Sequence, residues 1–179
     1  MEKWFDKGVD LAERSTHSRP LLDCREATLR HTPRREEGRY LDFGCGTGFL
    51  GLGLAEVLPG CKVVGLDVSG PNLVRGAGLA DESGWQGFFP CRGSALRMPF
   101  ADNSFSAAFC RAVLIYLYDI PQAFEELRRV LAEKGVLVAS EPVFRHPIPR
   151  PILARIRSHS KAWDNVYKIN RRKIAGWLR

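Results

Sequence analysis

Tyr40-Leu41-Asp42-Phe43-Gly44-Cys45-Gly46-Thr47-Gly48 is a short apolar run that passes directly into a glycine-rich loop, and Phe49 to Leu58 then read as a helix stopped by Pro59-Gly60. Strand, glycine loop and helix in that order open a βαβ unit. Working outward, Lys62 to Leu66 is a second strand that ends at Asp67, and Pro71 to about Ala80 is a second helix, although Gly76 and Gly78 weaken it. A third strand falls near Gly87 to Cys91 and a fourth at Phe105 to Cys110. Pro121 to Glu133 reads as a helix with Ala123, Phe124, Leu127, Val130 and Leu131 on one face and Gly135 as its stop, before a fifth strand at Val136 to Ser140. Short apolar runs alternating with helices predict an α/β fold around a parallel sheet.

The flanks differ from this core. Residues 1–38 are charged, with helical spacing at Trp4, Phe5, Val9, Leu11 and Ala12 and a second apolar group at Leu21, Leu22, Ala27 and Leu29, and read as a helical N-terminal extension. Residues 39–143 form the α/β core. Residues 144–179 form a basic, helical C-terminal segment beyond the prolines at 147, 149 and 151.

A chain of 179 residues with 45% hydrophobic content fits one globular domain. No apolar run approaches the roughly 20 residues of a membrane span, and Met1-Glu2-Lys3-Trp4-Phe5-Asp6 lacks the pattern of a secretory signal, so the expected location is cytoplasmic. The five cysteines, Cys24, Cys45, Cys61, Cys91 and Cys110, are widely spaced and form neither a disulfide framework nor a metal-ligand pattern. The net charge of +7 is uneven: residues 144–179 carry ten basic residues against Asp164, or +9, which leaves −2 for residues 1–143. A polyanion would therefore meet the C-terminal segment, and a solvated basic face is an equal reading of the same charge.

Glycines at 44, 46 and 48 reach backbone angles that other residues avoid and let a ligand approach the main chain, while the next helix offers free N–H groups. Asp67 lies nineteen residues beyond Gly48 at the end of strand two, where a carboxylate can receive both hydroxyls of a ribose. Loop and acid together point to an adenosine-containing cofactor. Gly46-Thr47-Gly48-Phe49-Leu50-Gly51 also satisfies the pattern of dinucleotide sites, but Asp42 would put a negative charge near a pyrophosphate, whereas it suits the ammonium and sulfonium of S-adenosyl-L-methionine.

Leu41 to Gly48, Val64-Gly65-Leu66-Asp67-Val68-Ser69, Leu96 to Phe105 and Phe124-Glu125-Glu126-Leu127-Arg128-Arg129-Val130-Leu131 together resemble the motifs of class I S-adenosylmethionine-dependent methyltransferases, especially small-molecule enzymes similar to the ubiquinone and sterol methylases. The resemblance runs from Tyr40 to about Glu141. It implies a doubly wound Rossmann-like sheet in the order 3-2-1-4-5, and no sequence remains for the final antiparallel strand pair of related enzymes. The chain is then expected to be truncated, or strand five to be covered by the 144–179 segment or by a partner subunit. By the same resemblance the loop at Gly44, Cys45, Gly46 and Gly48 lines the methionine part of the cofactor and Asp42 orders its ammonium. Asp67 binds the ribose, Val68 packs on adenine, and the Ser94-Ala95 turn receives the adenine amine. Arg111 and Ala112 face the methionine and the substrate entrance. Ser94 and Ser106 stand where the family usually has aspartates, which bears on cofactor affinity.

Methyl transfer from a sulfonium needs alignment more than a catalytic triad, and Tyr116, Glu141 and His146 are the candidate bases or orienting groups. No metal is expected. The reading is a methyltransferase acting on a small molecule; the alternatives are a cofactor-binding module with reduced or lost activity and, third, an RNA methyltransferase.

Overall fold

The computed structural model describes residues 19–35 and 38–141. Within them the chain forms α1 (Arg19–His31), β1 (Arg39–Phe43), α2 (Phe49–Val57), β2 (Lys62–Asp67), α3 (Gly70–Glu82), β3 (Phe88–Arg92), β4 (Phe105–Arg111), a 3₁₀ turn at Leu114–Tyr116, α4 (Ile120–Val130) and β5 (Leu131–Ser140). All strand pairings are parallel, in the order β3-β2-β1-β4-β5. The expected sheet and its order are both present.

Burial on both faces explains why the strands read as continuous apolar runs. Successive residues point to opposite sides, so Leu41, Phe43, Ala108 and Cys110 pack with Ile120, Ala123, Leu127 and Val130 beneath α4, while Tyr40, Ala107 and Phe109 pack with Leu50, Leu54, Leu73 and Phe88 on the α2 and α3 side. Tyr40 is fully buried, and its hydroxyl donates to the Pro33 carbonyl (2.9 Å) and accepts from the Arg35 amide (2.7 Å). The segment ahead of β1 is thereby pinned to the sheet. The α1 helix joins the α2 side through the Arg25–Glu56 ion pair and reaches β5 through Cys24 Sγ, 2.7 Å from Ser140 Oγ.

The uncertain second helix is real, and one of its glycines has a packing reason. A Cβ on Gly76 would lie 3.1 Å from the carbonyl of Thr47, so the missing side chain lets α3 rest against the glycine loop. Ser69 caps the helix by accepting from the Asn72 amide, with Pro71 in the first turn.

The end of α4 corrects the sequence reading. The helix stops at Val130 rather than Glu133, and Leu131 already pairs with Phe105 in the sheet. The Asn103 amide takes the Arg129 carbonyl (2.9 Å), which closes the helix end, and a register shift then separates the Phe105–Leu131 pair from the Ala107–Val136 pair. Gly135 serves this irregularity and not the helix stop: a Cβ there would meet the Ala132 carbonyl at 2.8 Å.

Ser106 lies away from the loops that follow β1 and β2. Near the start of β4 it donates to the Arg39 carbonyl (2.9 Å) at the start of β1. In a parallel sheet that is the end opposite the loops after β1 and β2, so Ser106 has no bearing on a ligand held by those loops. Five strands lie among the described residues, with β5 at one edge; whatever follows Glu141 lies outside them.

Arg129 ties α4 to the segment that leads into β4. Its guanidinium donates to both Glu126 oxygens (2.9 Å each), to Asp102 (2.8 Å) and to the carbonyls of Phe100 (2.7 Å) and Met98 (3.1 Å), while Glu126 accepts from the Met98 amide. A planar fork with this many acceptors is not reproduced by a lysine. Arg129→Ala is expected to lower stability by about 2 kcal/mol, the scale of a few charge-assisted bonds discounted for partial exposure. Arg129→Lys should recover less than half of the loss in thermal or urea unfolding.

Candidate cofactor site at the C-terminal ends of the strands

The loops after β1, β2, β3 and β4 all emerge at one end of the sheet, where an open α/β fold places its ligand. Gly44, Gly46 and Gly48 take φ values of +68°, +54° and +80°, a region that costs any residue with a Cβ. The loop is held from below: the Cys45 amide donates to the Leu66 carbonyl of β2 at 3.0 Å, and the buried Cys45 side chain sits close against Gly65. Burial, with Asp42 and Asp67 nearby, pushes the Cys45 thiol well above its ordinary pKa, so it is a packing group and not a nucleophile.

Asp67 is built into this loop. Its Oδ2 accepts from the Gly46 amide at 2.8 Å and its Oδ1 from the Ser69 amide at 2.9 Å. The carboxylate therefore couples the loops after β1 and β2, and with about four lone-pair sites it retains capacity for two further donors. In front of Gly46 there is open space: a Cβ placed there meets nothing within 4 Å. A left-handed glycine with an empty cradle beside a half-exposed carboxylate suits a ligand that presents vicinal hydroxyls.

Asp42 is brought to the same place but is buried, 2% exposed, and accepts from the Gly51 amide in the first turn of α2 at 3.0 Å. Burial raises its pKa to about 7, and the Gly51 hydrogen bond only partly offsets this; Asp67 raises it further and Arg111 opposes. The charge assigned to Asp42 from sequence is thus only partly present at neutral pH. Its structural task, locking β1 to α2, was not read from the sequence.

At the end of β4 the Arg111 guanidinium lies over the Phe49 ring, 5.4 Å from its centroid, and Arg25 of α1 lies 5.2 Å from the same ring. Phe49 and Arg25 were missed by sequence reasoning. The available signal was an aromatic residue directly after the last loop glycine. Arg111 is half-buried, with Phe49, Asp42 and Tyr116 around it.

The remaining candidates divide. Glu141 Oε1 accepts from the Val113 (2.8 Å) and Leu114 (3.1 Å) amides. Tyr116 lies beside Glu141 and Arg111, and burial holds its hydroxyl above the usual tyrosine pKa. Ser94 is exposed and accepts from the Leu96 amide (3.1 Å), closing its own turn with Ala95. Val68 follows Asp67 half-buried, and its carbonyl accepts from Arg92 Nε (3.2 Å). His146 lies outside the described residues. Among the described residues no cluster suited to a metal ion is present and no helix is long and apolar enough to cross a membrane.

A groove of about 820 Å³ runs between α2 and α3, lined in part by Leu52, Ala55, Leu79, Trp85 and Phe89. Thr47, Phe49 and Arg25 also line it while Asp67 and Arg111 do not, so it adjoins the loop site on the α2 side.

A methyltransferase-domain family model matches residues 34–175, most of the chain and all of this sheet. The chain belongs to that methyltransferase family. Among relatives of this methyltransferase domain, the demethylmenaquinone methyltransferase of Thermus thermophilus is 39% identical over 139 residues, covering 78% of this chain and 54% of the relative. The malonyl-[acyl-carrier protein] O-methyltransferase of Legionella pneumophila is 32% identical over 139 residues, covering 77% and 48%. A geranyl diphosphate methyltransferase solved in complex with SAM is 25% identical with a TM-score of 0.67, covering 75% of this chain and 55% of that one. The chain spans about half the length of the curated relatives it matches.

The raised pKa of Asp42 sets a pH dependence with a definite sign. Between its ordinary value of 3.8 and about 7 the folded methyltransferase domain holds a proton that the unfolded chain has lost, so this contribution to stability is full below pH 4 and is lost as pH rises through 7. Asp42→Asn keeps an acceptor for Gly51 and removes the titration. The stability difference between variant and wild type, measured by urea unfolding, should move in favour of the variant from pH 5 to pH 8, and a constant difference would contradict the burial argument.

Proposed function

We propose that this methyltransferase domain binds S-adenosyl-L-methionine at the rim formed by the loops after β1 to β4 and transfers its methyl group to a small molecule. The observation that carries the reading is the Asp67–Gly46 bond of 2.8 Å beside the empty cradle at Gly46, because it sets a ribose-type acceptor next to a backbone a ligand can approach. In this reading Asp67 takes the ribose, the loop at Gly44, Cys45, Gly46 and Gly48 lines the methionine part, and Asp42 and Arg111 face its ammonium and carboxylate. Val68 and the Ser94-Ala95 turn flank adenine. The cofactor supplies an electrophilic methyl on a sulfonium; the chain's own task is to align an acceptor and keep water away.

Among the described residues, neither candidate base, Tyr116 nor Glu141, is placed to act as a charged general base at this rim. Tyr116 keeps its proton at neutral pH and Glu141 is tied to backbone amides, which favours an acceptor that loses its proton easily or reacts without losing one. A binding module with lost activity is the second reading. One of its two supports falls away, since Ser106 lies at the other end of the sheet. Ser94 remains. RNA methylation stays third, motivated only by the basic residues at 144–179.

Calorimetry with S-adenosyl-L-methionine tests the proposal. Binding should be weakened by about 1–3 kcal/mol in Asp67→Ala, the scale of lost charge-assisted hydrogen bonds. Equal affinity would remove Asp67 from the site, and preference for a nicotinamide dinucleotide would overturn the cofactor. Methyl transfer to metabolite pools separates an enzyme from a binding module, and strongly salt-dependent RNA binding would revive the third reading.

Ser94→Asp is expected to tighten cofactor binding by about 1 kcal/mol, because aspartate can keep the turn bond to the Leu96 amide and present a second, anionic oxygen to an amine. Weaker binding in that variant would take Ser94 away from adenine.

A further inference from the structure

Glu141 closes the sheet at the end of β5, yet its side chain is directed to the turn that follows β4. Its Oε1 accepts from the Val113 amide at 2.8 Å and the Leu114 amide at 3.1 Å, with the Ile115 amide also directed at the carboxylate and Cys110 Sγ at 3.9 Å. One oxygen thus gathers successive N–H groups at the start of the 3₁₀ turn, groups that the turn itself leaves without partners. Its other oxygen, Oε2, is buried with no hydrogen-bond partner among the described residues. Burial raises the acid's pKa against the pull of those amides.

The backbone it holds is unusual. Ala112, directly after β4, has a φ of +54°, a region that disfavours a residue with a Cβ, and its amide bonds the Ser140 carbonyl at 2.8 Å. That conformation turns the chain sharply out of the sheet and carries Val113 over the glycine loop. There a Cβ on Gly44 would come within 2.6 Å of Val113 Cγ2. A continuous set of contacts therefore runs from Glu141 through the Val113 amide and side chain to Gly44, the first residue of the loop.

We propose that Glu141 is a positioning residue and not a base: by clamping the turn at Val113–Ile115 it holds Val113 against Gly44 and so fixes the glycine loop in its ligand-binding form. The inference rests on the cofactor reading given above. It assigns Glu141 a role at a distance, through backbone amides, and it makes Val113 the part that touches the loop. The same clamp sets Tyr116, two residues beyond Leu114, beside Arg111.

The test is titration of S-adenosylhomocysteine into the full chain, with thermal unfolding measured on the same samples. Glu141→Ala and Val113→Ala should each weaken binding by about tenfold or more, while Glu141→Gln, whose amide oxygen can still accept the Val113 and Leu114 amides, should stay close to wild type. The double variant Glu141→Ala/Val113→Ala should bind no more weakly than the worse single variant, because both break one chain of contacts. If Glu141→Ala does not fold, Val113→Ala and Glu141→Gln decide the matter alone. Lowered melting temperatures with unchanged affinity in the folded variants would overturn the inference and leave a purely structural role. Loss of turnover in Glu141→Gln with normal affinity would overturn it in favour of a base. Wild-type protein that binds no S-adenosylhomocysteine would bring down the cofactor reading itself and the inference with it, whereas wild-type binding with unaffected Val113→Ala would sink the inference alone.

Discussion

Between Gly44 and Val113 there is no room for a methyl group, since a Cβ on Gly44 would lie 2.6 Å from one Val113 methyl and 2.8 Å from the other. This approach brings the loops after β1 and β4 together above the sheet. It requires a glycine twice over, once for the contact and once for the φ of +68°. From it the loop continues through Gly46, whose amide is held by Asp67 of β2, and through Gly48, where α2 begins. Three strands thus converge on a loop of five residues.

Electrostatics at this rim are set by burial as much as by charge. Asp42 and Asp67 stand close enough to influence each other, and the buried Asp42 is bonded to Gly51 and pushed to a pKa of about 7. Arg111, over Phe49, supplies a nearby positive charge without entering an ion pair with either. Asp67, the Asp42 carboxyl poised near neutrality and Arg111 thus lie together at one rim. Glu126 and Arg129 stabilise the approach to β4 from the other side of the sheet and take no part in this balance.

Much of this was legible in the chain itself. The glycine loop, Asp67 and the strand cores could be read because a parallel sheet buried on both faces demands uninterrupted apolar runs, and because glycine and proline punctuate its turns. The end of α4 could not, since Leu131 and Ala132 continue the helical spacing, and the helix ends at Val130 because of two tertiary contacts, the Asn103 amide bonding the Arg129 carbonyl and Leu131 pairing with Phe105. The placement of Ser106 was open to the sequence but not drawn from it: a residue at the start of a parallel strand lies at the end away from the site.

The sequence by itself determined the fold class, the strand order by resemblance and the residues of the loop, because these follow from local pattern and from spacing along the chain. Only the tertiary structure decided what the acids do. Asp42 became a buried brace, Asp67 a clasp between two loops, and Glu141 the anchor of a turn 27 to 28 residues earlier in the chain. The physical reason is that a carboxylate's role depends on which backbone amides and which solvent it meets, and those are fixed by contacts between segments that no local pattern records.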